Sequence, residues 1–243
     1  MKRFVFSLLV VVWTGAWQMA SAGDVSGKIT LDGTPPPEKN IVFDDSCGPV
    51  RPSITTTRHY VVGKDKGLAD VFVYISKGLE GRKFTPPAEA RIINQEGCAY
   101  LPLVTGVMVG QVLKFKNSDP ILHNVHGLPT VDGNQEFNFA QPSQGDIDAT
   151  KWTACITQPE VLVKIKCEVH SWMFCYVGVR DNPYFAVSDQ DGNFKIPSLP
   201  PGDYTLTAYH LKATAGTPGI SKQIKVGADP LTVDFTLKVP VAR

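Results

Sequence analysis

Short runs of β-branched and aromatic residues, each closed by a turn signal, constrain the fold of this chain most. Residues 71–75 (VFVYI), 112–115 (VLKF), 161–165 (VLVKI) and 204–209 (YTLTAY) are such runs. Each is too short for a typical helix and carries strand-forming side chains. No window sustains a 3.6-residue apolar period, the mark of an amphipathic helix. Gly133-Asn134, Asp191-Gly192-Asn193 and Pro201-Gly202-Asp203 mark turns between the runs. Strands at this spacing predict an all-β chain built as sandwiches or barrels.

The N-terminus predicts export. Lys2 and Arg3 precede an uncharged apolar stretch over 4–17, and Ala20-Ser21-Ala22 offers small residues for a signal peptidase. The stretch falls short of the ~20 residues a spanning helix needs. Residues 1–22 are therefore expected to be a cleaved signal peptide, which places the protein in the periplasm or outside the cell. Gly23 stands where a lipoprotein needs Cys, so neither a lipid anchor nor stable membrane insertion is expected. The formal charge of the whole chain is +1, and cleavage removes two of its basic residues. Without a basic patch, a nucleic-acid partner is not expected.

A boundary is expected near Asp181-Asn182-Pro183. Residues 23–182 would form the first domain and 183–243 a small antiparallel sandwich. At about 60 residues the second unit is marginal alone and should pack on the first. The N-terminal arm, 23–52, is harder to place. Its strand over 27–31, broken by Thr34-Pro35-Pro36-Pro37, fits either domain.

Chemistry concentrates in Cys167-Glu168-Val169-His170-Ser171-Trp172-Met173, directly after an apolar strand. Thiolate, imidazole and thioether together suit copper better than magnesium, calcium or structural zinc. Trigonal coordination by two His and one Cys, with a weak axial Met, requires one more histidine. His123 supplies it, just past the strand ending near Lys116 and the Asp119-Pro120 turn. His126, three residues further on, is the rival. Trp172 either shields the metal from water or packs in the core. No Ser-His-Asp order, phosphate loop or carboxylate pair supports a hydrolase.

Five cysteines in an exported chain leave at least one unpaired. Cys47 and Cys98 both sit in turn-like context, and bridging them would tie the arm down. Cys155 and Cys175 form a second possible pair or stay as buried thiols. Cys175, two residues past Met173, is a competitor for Cys167.

These two segments resemble the cupredoxins, the plastocyanin-, azurin- and amicyanin-like blue-copper proteins, with the short Cys-x-x-His-x-x-Met loop most similar to the amicyanin type. The resemblance implies a Greek-key β-sandwich, with His123, Cys167 and His170 as strong copper ligands and Met173 as the weak axial one. It implies that Asn124 tethers the ligand loops and hydrogen-bonds near the Cys167 sulfur, which favours His123 over His126. More of the chain, about 71–237, is similar to a bacterial periplasmic group labelled methylamine-utilisation-like. There a copper-type domain precedes a carboxypeptidase-regulatory or transthyretin-like (prealbumin-like) sandwich. Tyr184-Phe185-Ala186-Val187, Asp191-Gly192-Asn193-Phe194 and the stretch over 199–206 (LPPGDYTL) carry that likeness.

The expected function is one-electron transfer to or from a periplasmic redox protein, through the edge of His170 between Val169 and Trp172. An enzyme is not expected, because five histidines leave too few for a second open metal site. The alternatives are a non-redox copper carrier or a structural sandwich of the cell envelope.

Overall fold

The computed structural model describes residues 22–50, 52–214 and 217–240. All but the last residue of the expected signal peptide lies outside the described residues. Among the described residues the regular elements are almost all strands. They are β1 (Gly23–Asp32), β2 (Phe72–Lys77), β3 (Arg91–Gln95), β4 (Tyr100–Leu101), β5 (Val104–Met108) and β6 (Leu113–Asn117). Next come β7 (His123–Leu128), β8 (Phe137–Gln141), β9 (Ile147–Asp148), the short helix α1 (Lys151–Cys155), β10 (Glu160–Lys166) and β11 (Phe174–Arg180). The last are β12 (Phe185–Val187), β13 (Asn193–Leu199), β14 (Gly202–Tyr209), β15 (Ile220–Val226), β16 (Leu231–Thr232) and β17 (Phe235–Lys238).

The expected all-β architecture of two joined β-sandwiches is what these strands build. One sandwich faces the sheet β5-β11-β10-β7-β8 against the sheet β4-β3-β6-β9. Ile93, Phe115, Val125, Val163, Ile165, Val177 and Trp152 of α1 fill the space between. The other sandwich faces β13-β1-β16, with β17 also on β1, against β12-β2-β14-β15. Its core holds Ile29, Val73, Ile75, Ile196, Leu206 and Phe235.

The expected division at 182/183 needs correction. Strands β1 and β2 lie within 23–182, yet β1 pairs with β13, β16 and β17, and β2 with β12 and β14. The second sandwich is thus made from both ends of the chain, and the first is inserted between β2 and β12. The strand over 27–31, open to either placement, belongs to the second. Side-chain alternation shows which face of a strand is buried but does not name its distant partner.

The two sandwiches share a layer. Val73 and Ile75 of β2 point into one core, while Phe72 and Tyr74 point out toward Leu103, Val104 and Leu162 of the other. Both faces of β2 are therefore covered, so its sequence is a continuous apolar run rather than an alternating one. Gly106 of β5 and Gly178 of β11 stand opposite each other in register. A Cβ at Gly178 would lie 2.4 Å from a ring carbon of Phe72, and one at Gly106 would lie 2.6 Å from Phe185. Only glycines let these two rings lie flat on the sheet.

Candidate metal centre

The β10–β11 hairpin makes the first half of the site. Lys166 pairs with Phe174 at its neck, and residues 167–173 form the loop between. Cys167 N–H donates to Met173 O at 3.0 Å, and Met173 N–H to His170 O at 2.9 Å. These bonds fold the loop into a tight turn and bury Cys167, His170 and Met173 together. The second half comes from β7, whose first residue is His123. Asn117 shapes the approach: its Oδ1 accepts from Asp119 N–H at 2.9 Å and its Nδ2 donates to Ile121 O at 2.8 Å.

His123 and Val125 point into the sandwich, whereas His126 falls on the opposite side of β7 by simple alternation. There His126 Nε2 lies 2.5 Å from Glu136 Oε1, and its Nδ1 contacts Glu168, which Lys166 also holds at 2.9 Å. His59 stacks on Phe174, and buried His210 caps a turn at Lys212 and Ala213. Neither belongs to the group of converging donors.

The structure brings His123, Cys167 and His170 together, with donor atoms within 4.8 Å of one another. His123 Nδ1 lies 3.1 Å from His170 Nδ1, and Cys167 Sγ lies 3.8 Å from His170 Nδ1. The outer nitrogens decide the tautomers. Asp119 Oδ2 accepts from His123 Nε2 at 2.8 Å. Ser46 Oγ donates to Asp44 Oδ1 at 2.6 Å, so it is left to accept from His170 Nε2 at 3.2 Å. With both Nε2 atoms acting as donors, each neutral ring turns an Nδ1 lone pair inward. Two lone pairs and a sulfur then face one point and repel unless a cation joins them.

Spacing and chemistry both fit a metal ion. Donors bound at about 2.0–2.3 Å to one ion lie roughly 3–4 Å apart. Two imidazoles and a thiolate, with a buried thioether on the same turn, form a soft to borderline set.

Electrostatics favour the ligating form of Cys167. In the metal-free site a protonated ring carries an Nδ1–H in place of that lone pair; burial opposes ionisation of Cys167, but hydrogen bonds from such rings at His123 and His170 and from the N–H groups of His170 and Val169 win, and its pKa falls to about 6. Burial likewise disfavours charge on His123, yet Asp119 and Cys167 raise its pKa. Asp119 is held ionised against burial by His123 and by the N–H groups of Cys98 and Gly97. Gly97 and Cys98 both adopt positive φ, 59° and 53°, which turns consecutive N–H groups onto that carboxylate at 2.8 and 2.9 Å. A non-glycine residue adopts this conformation only where its surroundings hold it.

Cys47 and Cys98 form the expected disulfide. Cys155, Cys167 and Cys175 are free thiols. Cys175 opposes Ile165 in the ladder and points into the sandwich core, where burial pushes its pKa far up and keeps it protonated. It is bridged to neither Cys167 nor Cys155.

Asn124 does tether the loops. Its Oδ1 accepts from Glu168 N–H at 3.2 Å, and its Nδ2 donates to Asn138 Oδ1 and Phe139 O. The first of these bonds meets the backbone of the residue that follows Cys167. Tyr100 OH adds a buried link by donating to Asn124 O. Trp172 sits half-buried beside His170, with ring centroids 5.4 Å apart, and its Nε1 donates to Cys98 O at 3.1 Å.

Three contributors were not expected. Asp119 reads as a solvated loop charge, but it is 4% exposed and holds His123. The available signal was a carboxylate four residues before a ligand histidine. Ser46 and Asp44 come from the arm, and nothing local to them points to His170.

No family model and no curated protein matches this chain. Among solved structures, a purple cupredoxin from Nitrosopumilus maritimus is similar at 24% identity and a TM-score of 0.30, over 37% of this chain and 98% of that one. An oxidised amicyanin mutant is similar at 20% identity and a TM-score of 0.31, over 44% and 98%. A copper-containing nitrite reductase from Thermus scotoductus SA-01 gives 20% identity and a TM-score of 0.32 over 41% of this chain. The chain spans about a quarter of the reductase's length, 24%.

Proposed function

We propose that this protein is an exported, non-enzymatic electron carrier whose His123, Cys167 and His170 hold one copper ion, with Met173 as a weak fourth donor. The observation that carries the reading is the convergence of His123 Nδ1, His170 Nδ1 and Cys167 Sγ, donor atoms within 4.8 Å of one another, while both Nε2 atoms are already engaged. Copper held this way supplies a one-electron couple at a site where neither oxidation state requires new ligands.

The remaining work falls to the protein's own side chains. Asp119 and Ser46 orient the imidazoles, and such outer partners fix the tautomer and raise ligand basicity. Asn124 and Tyr100 hold the two ligand segments at fixed separation. The disulfide and Trp172 close the site to water, and a dry, rigid surrounding tunes a redox potential. A periplasmic or secreted location accords with the apolar leader, and no described helix is long and apolar enough to cross a membrane.

Titration of the metal-free protein with Cu(II), Cu(I) and Zn(II) tests the reading. One equivalent of copper is expected to bind tightly in both oxidation states. Uptake of Zn(II) with exclusion of Cu(I) would contradict it.

A further inference from the structure

His170 is the donor that a surface loop would ordinarily leave open, since its neighbour Val169 is 45% exposed, yet His170 itself is fully buried. The cover comes from a distant segment of the arm. Ser46 Oγ contacts His170 Nε2 at 3.2 Å, and Asp44 Oδ2 stands 3.7 Å from it. Asp44 also accepts from the N–H groups of Ser46 and Cys47. Cys47 is fully buried, and both sulfurs of its disulfide to Cys98 lie within 4.8 Å of a ring nitrogen of His170. The expected exit through the imidazole edge is therefore closed.

Two aromatic rings lead around the cover. Trp172 packs on His170 at a tilt of 39°, and Phe43 meets Trp172 edge-on at 5.3 Å and 83°. Next to Phe43, Val42 is 87% exposed, more than any other large apolar side chain described. Asp44 and Asp45 follow, both exposed. The outer end of the aromatic path thus carries a bare apolar residue beside two exposed carboxylates with no Lys or Arg partner among the described ion pairs.

We propose that the disulfide-anchored segment over 42–47 is the docking surface for a one-electron redox protein with a basic rim, and that Trp172 and Phe43 connect that surface to His170. The inference rests on the copper reading and names the partner chemistry of the same site. One electron passes between the partner's redox centre and the copper site, and the partner gains or loses what the site loses or gains. Opposite charges steer such an encounter and make its rate depend on salt.

Stopped-flow mixing with a reduced, basic c-type cytochrome as the probe tests the proposal, with haem absorbance as the readout. Trp172→Leu is expected to slow the reaction by an order of magnitude beyond what its separately measured change in reduction potential accounts for, while the copper band stays in place, and Trp172→Phe to restore most of the rate. Asp45→Lys is expected to slow association and flatten its salt dependence. An unchanged rate in Trp172→Leu, with the band intact, overturns this inference and leaves the copper assignment standing. A wild-type protein without the band overturns the assignment itself.

A second readout needs no metal. In metal-free protein, diethylpyrocarbonate is expected to modify half-buried His59 and spare His170. Cys47→Ser with Cys98→Ser, or Ser46→Ala with Asp44→Ala should that pair fail to fold, is expected to expose His170. Rapid modification of His170 in the wild type would show that the segment is no cover and sink the proposal.

Discussion

Asp119 Oδ2 accepts a hydrogen bond from His123 Nε2 at 2.8 Å, and the same carboxylate is cradled by the N–H groups of Gly97 and Cys98. A ligand histidine is thereby tied to the turn that carries the disulfide. Replacing Asp119 by Asn keeps the shape and removes the charge. Copper affinity is expected to fall about 10–100-fold, the usual effect of losing such a partner. Competition with a chelator measures it, and an unchanged affinity would show that Asp119 is only a structural anchor for residues 97–98.

Thiol ionisation sets a pH dependence for the metal-free protein. The pKa of Cys167 falls from an ordinary 9.0 to about 6 in the folded state. Between those values the unfolded chain binds more protons than the folded one, so stability rises with pH across that window. The contribution is complete above the ordinary thiol range and disappears as pH falls through about 6. Thiolate absorbance of the folded protein should show a step near pH 6 that Cys167→Ser removes. Cys175→Ser should leave the step alone, because burial holds that thiol protonated.

The Cys47–Cys98 bridge closes a loop with a sequence separation of 51. Chain-entropy reasoning assigns such a link about 4 kcal/mol of stability. Denaturant unfolding of the metal-free Cys47→Ser/Cys98→Ser protein should show a loss within about 2–5 kcal/mol. A loss below 1 kcal/mol would mean that the arm is held by its other contacts, such as Ser53 N–H to Gly97 O at 2.9 Å.

Gly178→Ala tests the layer between the sandwiches. A methyl group there would stand 2.4 Å from the Phe72 ring, and overpacking of this kind costs about 1–3 kcal/mol. Phe72→Leu should relieve much of the clash when combined with it. Additive losses in the double variant would show that the two residues are not in contact.

The strands and the donor trio were legible because both are local. Alternation over a few residues marks a strand, and Cys167, His170 and Met173 lie on one turn whose spacing already suggests a ligand loop. His123 was recoverable because it precedes Asn124, and the structure sets His126 on the other side of β7. Partnerships across long separations were not legible. β1 pairs with β13 and β17 across most of the chain, which no local pattern encodes, so the domain division came out wrong. The cover on His170 was missed for the same reason: Ser46 lies 124 residues from it. Asp119 was misread because an Asp before Pro is usually a solvated turn residue, and only the fold reveals its burial.

The most direct test of the copper assignment is the visible absorption spectrum of the copper-loaded protein, set beside those of Cys167→Ser and Cys175→Ser. A trigonal site with a thiolate donor gives an intense sulfur-to-copper band, expected in the wild type and in Cys175→Ser and lost in Cys167→Ser. A wild-type spectrum showing only weak absorption, or an intense band that survives in Cys167→Ser, would contradict it.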